Sequence, residues 1–179
     1  MNHPVPPRRR PADPTAPQID VAWRVRADWR AVPLLRRVAL HAATAEGWRG
    51  GTLSVAVVGR RAMARLHADF CGVPGPTDVL TFDLGGDRRR RRLEGEIVVC
   101  TDVARAAAGT QAGMAGWRRE LALYVVHGVL HLSGYDDHAP ADFRRMHARE
   151  DELLGALGLG AVFAERAVRS AGRSAARGR

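Results

Sequence analysis

At 179 residues, with 46% hydrophobic and 26% charged side chains, the chain is long enough to bury the core of one domain and too short to expect two. No run approaches the ~18 apolar residues of a membrane span, and the N-terminal stretch lacks the apolar segment of a signal peptide, so a cytoplasmic protein without membrane contact is expected. The formal charge of +9 sits in appendages: residues 1–18 carry +2, the run Arg88–Arg92 carries +5 and residues 166–179 carry +5, which leaves the rest at −3.

The body of the protein is therefore not basic. The three arginine clusters can hold phosphates with a salt-dependent affinity, or serve only to keep solvated segments in solution. Every basic side chain is Arg, a compositional bias that gives Arg identity little weight by itself. Cys71 and Cys100 are the only cysteines, lack CxxC spacing and are expected as reduced, small core residues.

Residues 1–18, with six prolines among arginines, have too little apolar content to fold and are expected as a leader. Ile19, Val21, Trp23 and Val25 alternate with polar or small residues, which predicts a first strand. Pro33 opens a helix with Leu34, Leu35, Val38, Ala39 and Ala42 on one face, closed near Gly47. Thr52–Val58 reads as a second strand and Arg60–Phe70 as a second helix. The Pro- and Gly-rich loop after Cys71 leads to a third strand at Val79–Leu84. The arginine run Arg88, Arg89, Arg90, Arg91 and Arg92 is then a tight, exposed hairpin connection to a fourth strand, Glu94–Cys100. Thr101 or Asp102 caps a third helix to about Gly109.

The next helix, from about Ala115 to Gly134, is apolar around nearly its whole circumference and so is expected to be buried. It carries His127 and His131, four apart and therefore on one face, able to grip a single ion. A lone buried His is more often a satisfied core residue; a pair followed by Asp136, Asp137 and His138 reverses that expectation. Pro140 opens another helix on which Phe143, Met146, Leu153 and Leu154 are expected to pack, while Arg144, Arg145, Arg149 and Glu150 face water and His147 lies at the boundary. A short helix over 162–168 runs into the basic tail. The order β-α-β-α-β-β-α-α-α predicts an α+β fold: a small mixed four-stranded sheet packed with about five or six helices, one of them a zinc-hydrolase-like metal helix.

The His pair is spaced as in HExxH zinc hydrolases, but Gly128 stands where a peptidase has its Glu base. The stretch HGVLHLSGYDDH instead resembles the YbeY family of bacterial ribosomal-RNA maturation endoribonucleases, with signature HGxLHLxGYDH, and matches it at each fixed position through Asp136. Phe70, Gly72, Pro76, Thr77, Val79, Leu80 and Phe82 resemble the family's YRGKDxPTxVLSF stretch, and the likeness covers about residues 19–160. Two positions depart. The family's third histidine falls on Asp137, with His138 one place later; imidazole suits zinc and favours His138, with Asp137 as the alternative oxygen donor. The family's Arg beside the metal is Cys71 here.

The resemblance implies a single-strand-specific, metal-dependent endoribonuclease, a hydrolase acting in ribosomal RNA maturation at the 16S 3′ end and in ribosome quality control. It implies one Zn²⁺ per chain on His127, His131 and His138 or Asp137, a water activated by that ion, and RNA contacts from Arg88–Arg92. Ribosomal RNA and ribosomes or ribosomal proteins are the implied partners. The implied domain runs over residues 19–165, ahead of a tail at 166–179; no protein general base is assigned. The alternatives are a non-catalytic RNA-binding ribosome assembly factor with a structural metal, and a small zinc peptidase.

Overall fold

The computed structural model describes residues 16–26 and 28–162. The leader up to residue 15, the tail and the helix expected beyond Val162 lie outside them. The described elements are β1 (Gln18–Trp23), α1 (Val32–Ala45), β2 (Gly50–Val58), α2 (Arg60–Cys71), β3 (Val79–Asp83), β4 (Arg92–Cys100), α3 (Thr101–Ala108), α4 (Gly113–Leu132) and α5 (Pro140–Ala156). Short 3₁₀ turns at Trp29–Ala31 and Thr110–Ala112 precede α1 and α4. The expected order is the observed order, and the fold is α+β.

The strands form one mixed sheet in the order β1-β2-β4-β3. β1 and β4 both run parallel to β2, and β3 pairs antiparallel with β4 at the edge, Val79 opposite Val99 and Asp83 opposite Gly95. Side chains of one strand alternate between faces. Leu53, Val55, Val57, Leu93, Ile97 and Val99 meet α1 and α4 in the main core, whereas Ala56, Val58, Leu80, Val98 and Cys100 meet Met63 of α2 on the other side.

α4 is the central helix, with twelve of its twenty residues buried. Two glycines let it approach β4 closely. A Cβ on Gly128 would fall 2.8 Å from Ile97 Cδ1, and one on Gly95 would fall 2.7 Å from Leu132 Cδ1. Neither position has room for a side chain without displacing its neighbour. The Gly at the second place of the HxxxH pattern is thus one of the helix's close contacts with the sheet.

The expected exposure of four residues is corrected. Glu150, read as facing water, is fully buried, and Arg149 is largely covered because it bonds Glu46 and Glu152. Phe143, read as packed, is 39% exposed. Cys100 is buried as expected, but Cys71 is exposed at the end of α2, where Gly72 turns the chain with φ of 68°.

Candidate metal centre

The site is built on the last two turns of α4 and the turn that follows. Gly134, at φ of 87°, ends the helix in the left-handed conformation, where glycine carries no Cβ penalty. The Gly134 N–H donates to the His131 carbonyl at 2.9 Å and the Tyr135 N–H to the Leu130 carbonyl at 3.0 Å, the paired bonds of a Schellman motif. That turn aims the Tyr135 carbonyl back at the helix, where it accepts from His131 Nδ1 at 3.1 Å.

His127 is oriented from the other side. Its Nδ1 lies 2.7 Å from Glu150 Oε1, and the other carboxylate oxygen of Glu150 takes His147 Nδ1 at 2.5 Å. A carbonyl and a carboxylate can only accept, so both ring Nδ1 atoms of the pair are donors. In their neutral forms His127 and His131 therefore present bare Nε2 lone pairs, and these two atoms converge to 2.9 Å. Two lone pairs that close repel unless a cation, a proton or a metal ion, binds both. Second residues that fix the tautomer and leave Nε2 free are the usual support of a metal-ligating histidine.

Asp137 completes the set. Its Oδ2 lies 3.8 Å from His127 Nε2, and one ligand atom from each of His127, His131 and Asp137 falls within 4.8 Å of the others. Asp136 braces the turn instead: its Oδ1 accepts the backbone N–H of Asp137 at 2.7 Å and of His138 at 3.2 Å. The His138 ring bonds Asp136, and its side chain is 88% exposed. His138 thus shares a cluster with Asp136 and Asp137 but is not brought to the His127–His131 pair. Two imidazoles and a carboxylate are a donor set that accepts zinc and other divalent ions.

The charge state of the pair follows from its surroundings. At His127 burial opposes the proton, but the hydrogen bond and charge of Glu150, with Asp137 and Asp78, outweigh it and raise the pKa above its ordinary value. At His131 burial and then the neighbouring His127 lower it. His138 is raised by its bond to Asp136, whose own pKa falls for the same reason.

Glu150 and His147 were not foreseen as site residues. Glu150 sits in a polar stretch of α5, and only its spacing of four from Met146 and four from Leu154, on one helical face, points inward.

The arginine run forms the turn between β3 and β4, clasped by reciprocal Asp87–Arg92 backbone bonds of 2.8 and 2.9 Å. Arg90 pairs with Asp87 and Arg92 with Glu94, and the Arg88 guanidinium stacks 4.7 Å over the Trp48 ring. The Trp48 indole N–H donates to Ser133 Oγ at 2.9 Å, next to Gly134. One buried tryptophan therefore touches both the arginine turn and the turn that carries Asp137. No helix among the described residues is long and apolar enough to cross a membrane.

A family model described as Endoribonuclease YbeY matches residues 25–158. The Endoribonuclease YbeY of Anaeromyxobacter sp. (strain Fw109-5) is 38% identical over 134 residues, 73% of this chain and 69% of that protein. That of Geobacter sulfurreducens is 36% identical over 129 residues, covering 69% and 84%, and that of Mycobacterium ulcerans is 39% identical over 117, covering 59% and 63%. The solution structure of TM1509 from Thermotoga maritima superposes with a TM-score of 0.53 at 25% identity, over 78% of this chain and 91% of the other. Fold, motif and matched length agree: the chain belongs to the endoribonuclease YbeY family, hydrolases that cut RNA phosphodiester bonds.

Proposed function

We propose that this chain is a zinc-dependent endoribonuclease specific for single-stranded RNA, acting in the cytoplasm on ribosomal RNA, at the 16S 3′ end, and in ribosome quality control. The convergence of the His127 and His131 Nε2 atoms carries the metal part of the reading, since their Nδ1 donors leave both lone pairs aimed at one point. In this reading His127, His131 and Asp137 hold the ion, because Asp137 is within reach of the pair while His138 is turned to Asp136. Residues 19–165 form the nuclease domain between two basic flanks.

When bound, zinc supplies Lewis-acid polarisation of a phosphoryl oxygen and a nucleophile at neutral pH. The protein's own groups prepare for that. Glu150 and the Tyr135 carbonyl hold the imidazole tautomers, Asp136 fixes the turn that presents Asp137, and the arginine turn offers guanidinium groups to phosphates. The peptidase alternative loses support because Gly128, where the Glu base would stand, is filled against Ile97. The assembly-factor alternative draws on Cys71, an exposed thiol in place of the family's Arg.

The test is cleavage of ribosomal RNA by the purified protein beside His131→Ala, with the zinc content of both measured by mass spectrometry. About one zinc per chain and cleavage by the wild type alone is the expected result. Zinc without cleavage would move the RNA-binding assembly factor ahead.

A further inference from the structure

On the face of the sheet away from α4, the helix α2 covers only part of the apolar surface. Beside it lies a groove of about 320 Å³ with a floor of Ala56, Val58 and Val98. Phe70 and Leu84 stand at its rim and are 64% and 65% exposed. Phe82 meets the Phe70 ring edge-to-face at 4.9 Å, which holds that ring in place without covering it. Arg24 and Glu96 complete the lining, and neither side chain has a hydrogen-bond or ion-pair partner among the described residues.

Resting on the endoribonuclease reading, we infer that this groove is a base-binding subsite that takes splayed-out bases of the single-stranded RNA substrate, separate from the metal centre. The mixture of charges identifies the occupant. A groove tracking phosphates would not carry an unpaired carboxylate on its floor strand. The edge of a base offers both acceptors, which suit a guanidinium, and amino donors, which suit a carboxylate. An open phenylalanine ring above an apolar floor provides the stacking surface on which unpaired bases rest.

The position relative to the metal centre is also right for one strand of RNA. Phe70 lies in the last turn of α2 at the groove, and the segment after Cys71 leads into β3, which packs on α4. Glu96 and Phe82 pair across β4 and β3, and the adjacent Gly95 touches Leu132 of the metal helix from the opposite face. Groove and metal centre thus lie on the two faces of the same edge hairpin, and RNA passing around that edge engages both.

The experiment is a fluorescence-anisotropy titration of short single-stranded oligoribonucleotides, oligo(C) and oligo(U), with wild type, Phe70→Ala and Glu96→Gln at several salt concentrations. Phe70 is exposed, so its truncation leaves the fold intact, and thermal unfolding of both variants checks this. Phe70→Ala is expected to weaken binding about tenfold, the scale of one stacked base, with an unchanged salt slope because no phosphate contact is lost. Glu96→Gln is expected to remove a preference for oligo(C), whose amino group the carboxylate accepts. Unchanged affinity in Phe70→Ala beside a wild type that binds and cuts RNA overturns the subsite and leaves the groove to a protein partner. A wild type that cuts no RNA overturns the nuclease reading itself, and the two failures are distinct.

Discussion

Glu150 Oε1 lies 2.7 Å from His127 Nδ1 at a carboxylate with no exposed surface, so the orientation of a candidate ligand on α4 depends on an acid buried in α5. Glu150→Gln keeps the shape but can accept from only one of the two imidazole N–H groups it serves. Zinc affinity is expected to fall 10–100-fold in a chelator-competition titration. Glu150→Ala leaves both donors without a partner and is expected to cost a further ~1–3 kcal/mol in urea unfolding of the metal-free protein. Wild-type zinc affinity in both variants would remove the positioning role.

The pair also sets a pH dependence for the metal-free protein. The raised pKa of His127 gives a contribution complete below the unfolded value of 6.5 and lost as pH rises through the folded value. His131, lowered, gives the opposite: its contribution is complete above 6.5 and lost as pH falls through the window below it. On these two groups alone, stability peaks near 6.5 and declines on both sides. Denaturation of chelator-treated protein across pH checks this, and Glu150→Gln is expected to flatten the alkaline decline. Zinc competes with the His127 proton, so its affinity rises with pH through the same window.

Asp137 and His138 separate cleanly by mutation. Asp137→Ala is expected to drop bound zinc well below one per chain after dialysis, whereas His138→Ala retains it, since its ring is turned to Asp136. Asp137→His places imidazole at the family's position and is expected to bind zinc at least as tightly. Loss of zinc in His138→Ala with retention in Asp137→Ala would reverse the ligand choice.

Much of the fold was readable because strong periodicities coincide with it. Apolar residues cover nearly the whole circumference of α4, β1 alternates apolar with polar or small residues, and Gly134 and Pro140 punctuate the turn. The convergence of His127 and His131 was readable for the same reason: residues four apart on a helix share a face whatever the surroundings. Which residue of the following turn approaches that pair was not, because a turn can present either of two adjacent residues, and here Asp137 lies near His127 while the Asp136 carboxylate bonds the His138 ring. Glu150 was hidden by its neighbours. Arg144, Arg145 and Arg149 made that stretch of α5 look wet, and only the two imidazoles waiting inside explain an acid there.

Within the arginine turn, Arg88, Arg90 and Arg92 already have partners, and Arg89 and Arg91 are exposed. Replacing Arg89 and Arg91 by alanine is expected to reduce the slope of log affinity against log salt by about 1.4, at ~0.7 per phosphate on a single strand. An unchanged slope would take the turn out of the RNA interface.

Gly128→Ala tests the contact of α4 with the sheet. Its Cβ would meet three Ile97 carbons at 2.8–2.9 Å. Overpacking of ~1–3 kcal/mol is expected to outweigh the ~1 kcal/mol that alanine gains in helix propensity. Ile97→Ala should cost less in the Gly128→Ala background than alone, and additive costs would show that the contact is not tight.

Trp48 gives the protein an optical reporter of its own. Its indole, 2% exposed, is bonded to Ser133 beside the turn that carries Asp137 and lies under the Arg88 guanidinium. A guanidinium drawn away by a phosphate, or a turn tightened around an ion, changes the electric field on one chromophore. Emission from a variant that keeps only this tryptophan therefore reads out both events in a single cuvette, without a label.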